Sequence, residues 1–353
     1  MPRRLISLGS GEPLLNVVSY ARRGPGRRDH LSQGEIELIS RTVRRTPEVM
    51  VKVLSHGGQD LAAIRRHLDY LRSRDDGERE IETDDGQRLT GEGVAKDLLD
   101  NWDLDLEAPR RRVELEVGRG RSAKLVHKLM FSMPAGTPPQ KVLAAVKNFA
   151  REEFGLKHRY AMVLHTDEPH PHVHMVVKAV SEQGVRLHIR KATLREWRRE
   201  FARHLRALGV PANATERAVR GERRPPKLDG IYRAEQRGAA HRTGERADSV
   251  GRELLKGGLR VERGKAQLLE TRKDVQQGWW AASDILIAEG RTELAARVRQ
   301  FAAEMPPPRT ERELIAEALR RSVGEVQARA IQQGAQEPQR SRSETSPERF
   351  RTR

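Results

Sequence analysis

The 353-residue chain contains no cysteine. That excludes disulfides and thiolate metal sites and fits a reducing compartment. Aromatic residues make up only 4%, too few for a nucleic-acid binder built mainly on stacking platforms. No apolar run approaches the roughly 20 residues of a membrane helix, and the opening MPRRLISLGSGEPLLN lacks the apolar core of a signal peptide. Acidic charge is in deficit: Lys plus Arg is 67 and Asp plus Glu is 50, a net charge of +17. With a pI near 10.6, the balance points to a polyanionic partner, nucleic acid before membrane. The expectation is a soluble, cytoplasmic, basic protein with no membrane insertion.

Composition divides the chain unevenly. Residues 1–46, with the basic turn ARRGPGRRDH, read as an N-terminal arm. PEVMVKVLSH then alternates into a strand ending at Gly57 and Gly58, and QDLAAIRRHLDYLRSR forms a helix with Leu61, Ile64, Leu68 and Leu71 on one face. EREIETDDGQRLTG predicts a hairpin around DDG, AKDLLDNWDLDL a helix, and PRRRVELEVGRGRSAK a basic exposed segment. HKLMFSMPAG is a strand; TPPQ, with Thr137 as N-cap and prolines in the first turn, starts a helix that ends at Gly155. A short strand, GVRLHIRK, precedes a helix opened by T-L-R-E at 193–196 and closed by Gly209. From about 211 to 250 the composition shifts to Arg, Gly, Ala and Pro, and a linker is drawn at 226–264. Residues 265–335 are helical with a PPP break at 306–308, and 336–353 form a disordered Arg-rich tail. The fold class is α+β, followed by a helical C-terminal region and the tail.

Four of the twelve histidines lie between 165 and 174, in YAMVLHTDEPHPHVHMVVKAV. Apolar, β-branched flanks around a TDEP turn make this a β-hairpin. His172 and His174 share one face because strand side chains alternate with period two, and His165 ends the partner strand. Three imidazoles can converge there on one ion and leave positions open, as in a catalytic metal site. Asp167 could orient one ring; His170 and Pro171 have no role in this scheme. A structural zinc site is the main rival.

Tyr70 is out of place. At about 100° per residue it falls well off its helix's apolar stripe, with Arg66 and Arg74 four residues to either side. A phenol with a pKa near 10 is a weak nucleophile. Flanking guanidiniums favour phenolate and can hold a phosphate, and Gly57 and Gly58 would let backbone N–H groups approach a phosphate at the helix start. An ordinary surface tyrosine is the alternative.

Taken in order, VMVKVLSHGGQDLAAIRRHLDYLRSRDDG, HKLMFSMPAGTPPQ, HTDEPHPHVHMVVKA and the segment from VRLHIRKATLREWRREFARHLRALGV to ERRP resemble conjugative relaxases. The similarity is to the MOB-P mobilisation nucleases within the HUH (His–hydrophobic–His) endonucleases, and among them to the T-DNA border endonucleases. It covers a nuclease domain of residues 47–225. The resemblance implies a central antiparallel sheet with flanking helices and the HUH pair on a middle strand. It implies Tyr70 as nucleophile, His165, His172 and His174 as metal ligands, and Asp167 as supporting carboxylate; Tyr20 is a competing nucleophile if the register differs. The activity implied is single-strand nicking at a transfer origin through a covalent 5′-phosphotyrosine. Family members use magnesium or manganese, whereas all-imidazole ligation alone would favour zinc or nickel. Implied partners are single-stranded or supercoiled origin DNA, an accessory nicking protein, and a type IV coupling protein with its secretion channel, which would carry the protein to a recipient cell. A rolling-circle replication initiator and a non-enzymatic basic DNA-binding protein with a structural metal are the competing readings.

Overall fold

The structure is a computed structural model, and it describes residues 15–21, 29–54, 58–74, 77–104, 124–222 and 241–336. The basic segment 109–124 and the tail 336–353 therefore lie almost wholly outside the described residues. Two compact units emerge: Leu15 with residues 30–216, and residues 16–29 with the chain from 217 onward.

The first unit is built on a six-stranded, wholly antiparallel sheet in the order β1-β6-β8-β7-β4-β5. Its strands are β1 (Met50–Leu54), β4 (Ile81–Thr83), β5 (Arg88–Leu89), β6 (Val126–Ser132), β7 (Tyr160–His165) and β8 (His172–Lys178). A separate two-stranded ribbon pairs β2 (Ser73–Arg74) with β3 (Gly77–Glu78). Strand alternation sorts side chains to two cores. Val173, Met175 and Val177 of β8 face α5 (Pro139–Glu153) and α6 (Lys191–Ala207), where Phe131, Phe149, Trp197 and Phe201 fill the layer. Val176, with Ala161 and Val163 of β7, faces α3 (Leu61–Arg72) and α4 (Val94–Asn101) through Ile64, Leu68, Leu71 and Leu98. The histidine hairpin is thus the centre of the sheet, and the α+β class holds.

Several local expectations change. Residues expected in an arm include α2 (Gln33–Val43), capped by Ser32 and Glu35. Asn213 ties this region to the first unit: its Nδ2 donates to Thr42 Oγ1 (3.1 Å) and Glu48 Oε1 (3.0 Å), and its carbonyl accepts from Val49 N. Thr137 does not cap α5; the N-cap is Pro138, and the Thr137 hydroxyl donates to the Pro134 carbonyl. GVRLHIRK contributes a single bridge, Val180 to Arg186, rather than a strand. The helix expected from T-L-R-E begins three residues earlier, with Arg190 as N-cap and Thr193 Oγ1 accepting from Arg190 N.

The second unit is helical: α1 (Val17–Tyr20), α7 (His241–Leu255), α8 (Gly264–Ala288), α9 (Thr292–Ala303) and α10 (Glu311–Gln336), with the PPP break between α9 and α10. Gly278 is where α8 meets α1, because a Cβ there would lie 2.2 Å from the Val17 carbonyl oxygen. Helix α7 falls inside the segment drawn as a linker, and its Val250 is buried against Ile315 and Ala316 of α10. No described helix is long and apolar enough to cross a membrane.

Gly58 sits against the sheet. Its carbonyl accepts from Leu125 N (2.7 Å) and Val126 N (3.1 Å), and a Cβ at this position would come within 2.5 Å of the Val126 carbonyl oxygen. Backbone cannot yield there as a flexible side chain would. Gly58→Ala should destabilise the protein by about 1–3 kcal/mol, read as a lower denaturant midpoint. An unchanged midpoint would mean that this segment does not depend on the close approach.

Candidate metal centre

His165 and His172 are paired residues across the β7–β8 ladder, and His174 is two positions further on the same face. The three ring centroids are separated by 5.2 Å (165–172), 4.9 Å (165–174) and 5.1 Å (172–174). One nitrogen from each ring falls within 4.8 Å of the others.

Hydrogen bonds fix which nitrogen each ring offers. A carbonyl oxygen can only accept, so the 3.1 Å contact between His165 Nε2 and the Leu71 carbonyl puts the proton on Nε2. Nδ1 of His165 is then the lone-pair nitrogen; it is buried and without a hydrogen bond. The same reasoning applies to His172, whose Nδ1 donates to the His170 carbonyl at 3.0 Å, leaving Nε2 as its lone-pair nitrogen. Burial lowers the His165 pKa to about 4, assisted by Arg79 and His172, with Asp167 opposing. A neutral, fully buried imidazole (0% exposed) with an orphaned lone pair is suited to a cation ligand. The cluster is compatible with a divalent metal, and its donor set fits one. His170 contributes its backbone rather than its ring.

Asp167 is placed differently from its expected role. Its Oδ1 lies 3.7 Å from His165 Nδ1, beyond hydrogen-bond reach, and 3.8 Å from an Arg79 guanidinium nitrogen. The ring is oriented by the Leu71 carbonyl instead, and Asp167 acts as a charge beside it.

That carbonyl brings α3 to the centre. Tyr70, the residue before Leu71, is 49% exposed in the last turn of the helix. His67, one turn earlier, has its ring 6.2 Å from that of His174. At about 100° per residue, Tyr70 and His67 differ by only about 60° around the helix. Sequence periodicity did not single out His67, although a histidine three residues before the tyrosine was a readable signal. Burial first, then Lys128 and His165, lower its pKa to about 4, so it too is neutral at neutral pH.

Two phosphate-binding expectations, Gly58 and Arg74, need correction, and Arg66 keeps its place. The start of α3 lies about 14 Å from Tyr70 along the axis, and its N-cap Asp60 already satisfies Ala63 N (2.9 Å) with a carboxylate. Gly58 is engaged with β6, and Gly57 lies outside the described residues. Arg74 is not on the helix: α3 ends at Arg72, and Arg74 pairs with Gly77 in the ribbon. Arg66 remains, exposed and one turn before Tyr70. Tyr20 is buried in the second unit.

A second group, Glu152, Glu200 and His204, also has metal-like spacing. Arg203 is paired with both carboxylates, at 2.8 Å to Glu200, so a resident cation already occupies their lone pairs and offsets part of their charge.

Residues 75–210 match the family model of the relaxase MobA/VirD2-like nuclease domain. The chain carries a relaxase nuclease domain. No curated protein matches the chain. The match contains the three histidines and Asp167, and it begins five residues after Tyr70. A relaxase domain of this kind is a DNA-binding nuclease, in keeping with the net charge of +17.

If the relaxase histidines hold an ion, Mn²⁺ or Zn²⁺ should raise the melting temperature in a concentration-dependent way. His174→Ala and excess chelator should each remove that increment. An increment that survives His174→Ala would place the ion elsewhere.

Proposed function

We propose that the protein nicks one strand of DNA at a transfer origin by transesterification, with Tyr70 as nucleophile. The observation that carries this reading is the hydrogen bond from His165 to the Leu71 carbonyl, which sets the last turn of α3 against the histidine cluster. A divalent ion on His165, His172 and His174 would polarise the non-bridging oxygens of the scissile phosphate and offset its charge. Magnesium or manganese suits a phosphate substrate, and zinc or nickel suits the ligands.

The chain's own residues do the rest. Tyr70 Oη forms a bond to phosphorus as the bond to the 3′ oxygen breaks. The phenol gives up its proton and the leaving 3′ oxygen acquires one. The product is a 5′-phosphotyrosine with a free 3′ hydroxyl. One phosphodiester replaces another, so the step is near thermoneutral and reverses to religate the strand. Arg66, exposed one turn before Tyr70, can hold a neighbouring phosphate. Asp167, between Arg79 and His165, limits the positive charge around the centre. The biological setting we infer is conjugative mobilisation of the MOB-P type, with the nearest chemistry in the T-DNA border endonucleases. The partners would be an accessory nicking protein, a coupling protein and a type IV channel.

The decisive test is a denaturing gel after incubation with supercoiled or single-stranded DNA of the protein's own locus and Mn²⁺. A detergent-resistant protein–DNA adduct should form with wild type and with Tyr20→Phe. Tyr70→Phe should bind DNA and give none. His172→Ala should slow the reaction by about 100-fold or more, since several kcal/mol of charge stabilisation is at stake. An adduct that persists in Tyr70→Phe would refute the nucleophile. Deleting residues 336–353 should leave nicking intact and reduce transfer between cells; equal loss of both would make the tail a DNA contact.

A further inference from the structure

Lys128 has no place in the scheme above, yet it is only 5% exposed. It lies on β6, paired with Val176 of β8, while Met130 is paired with His174. Paired residues and residues two apart share a face. Lys128 is therefore on the α3 side of the sheet, the side that carries His172 and His174. Its charge is felt at the centre, since Lys128 is the main electrostatic influence lowering the pKa of His67.

A buried ammonium normally carries a carboxylate partner, because an unpaired charge in a poorly hydrated setting is costly. Among the described residues Lys128 has none. Burial alone shifts its own pKa, downward, and no acid opposes that shift. Lys178, the similarly buried lysine of the same sheet, is 3.3 Å from Glu182, and the half-buried Lys147 of α5 is 2.5 Å from Glu82. The next row toward the β1 edge places Lys52 opposite Met130. Two cations thus sit one row apart beside the histidine cluster.

We infer that Lys128 is a phosphate-binding residue, whose missing counter-ion is a backbone phosphate of the DNA strand as it passes the histidine centre toward the β1 edge of the sheet. The inference rests on the nuclease reading for the location of the strand, but not on which residue attacks it. It accounts for a charge left uncompensated in a buried position: the partner arrives with the substrate.

The test uses the full chain and fluorescein-labelled oligothymidine, with binding followed by anisotropy as KCl is varied. Losing one phosphate contact from a single strand reduces the slope of log K against log[salt] by about 0.7. Between about 50 and 200 mM KCl, wild-type affinity should therefore fall about 2.6-fold more than that of Lys128→Met. Lys128→Arg should restore the wild-type slope. Lys128→Met should also melt at a temperature equal to or higher than wild type, because it removes an unpaired buried charge. An unchanged slope in Lys128→Met, or a variant that melts lower, would overturn the proposal; a lysine that merely supports the fold would give that second result. Tyr70→Phe should keep the wild-type slope. The covalent adduct is scored separately, so failure of the nucleophile assignment and failure of the Lys128 contact give different results.

Discussion

The hydrogen bond from His165 Nε2 to the Leu71 carbonyl joins two parts of the chain that have separate jobs. At a helix C-terminus the last four carbonyls have no intrahelical donor, and Leu71 is within that turn of α3. The imidazole N–H supplies the missing donor. In the same act it fixes the ring's tautomer, turns Nδ1 toward the histidine cluster, and holds the helix end beside it. A side chain satisfying a backbone carbonyl therefore determines both where a cation can bind and how far Tyr70 is from it. Had the ring used Nε2 for a metal instead, the Leu71 carbonyl would have lost this donor.

The surrounding sheet makes that bond reproducible. β8 is covered on both faces, by Phe131, Phe149 and Trp197 on one side and by Ile64, Leu68 and Leu71 on the other. Register in such a strand is strongly specified, because a slip of one residue would send Val173 and Met175 to the α3 side and the histidines into the aromatic core. Packing of ordinary apolar residues thus sets the geometry of the polar ones. The close approach of Gly58 to the Val126 backbone fixes the other end of the α3 segment to β6, the strand that carries Lys128.

Much of this was legible in the sequence wherever a period carried it. The alternation around His172 and His174 gave their shared face, and the 3.6-residue spacing of Leu61, Ile64, Leu68 and Leu71 put Tyr70 off the core stripe. The losses have physical reasons. His67 looked like one more polar helix residue because its meaning comes from His174, which approaches only across the tertiary fold. The helix period was carried through to Arg74 when the chain had already turned into the Ser73–Glu78 ribbon, where Arg72 pairs with Glu78 at 2.5 Å. Gly58 was read as freedom for a ligand, whereas its missing Cβ makes room for a neighbouring strand. In α7 the apolar spacing of Ala247, Val250 and Leu254 was present but submerged in Arg and Gly, and burial against α10 decides the helix. No pattern of residue types encodes a backbone carbonyl as a ring's partner.

The polarity of α3 favours the proposed placement of phosphate contacts on the sheet. A helix carries roughly half a positive charge at its N-terminus and half a negative charge at its C-terminus. Glycine-rich phosphate sites exploit the first; here that end is capped by the Asp60 carboxylate and lies about 14 Å from Tyr70. The centre sits at the negative end, where the field favours a cation among the imidazoles and disfavours a phosphate. An anionic substrate brought to this spot needs positive charge from other elements. The ion would supply part of it, Arg66 on the outer face of the helix another part, and Lys128 and Lys52 of the sheet the rest. His67, neutral beside His174, adds no charge and leaves that balance undisturbed. Under the proposed reading the arrangement separates two tasks that a helix N-terminus would combine. The helix end would favour the cation and orients His165, and the strands beside it would receive the strand of DNA.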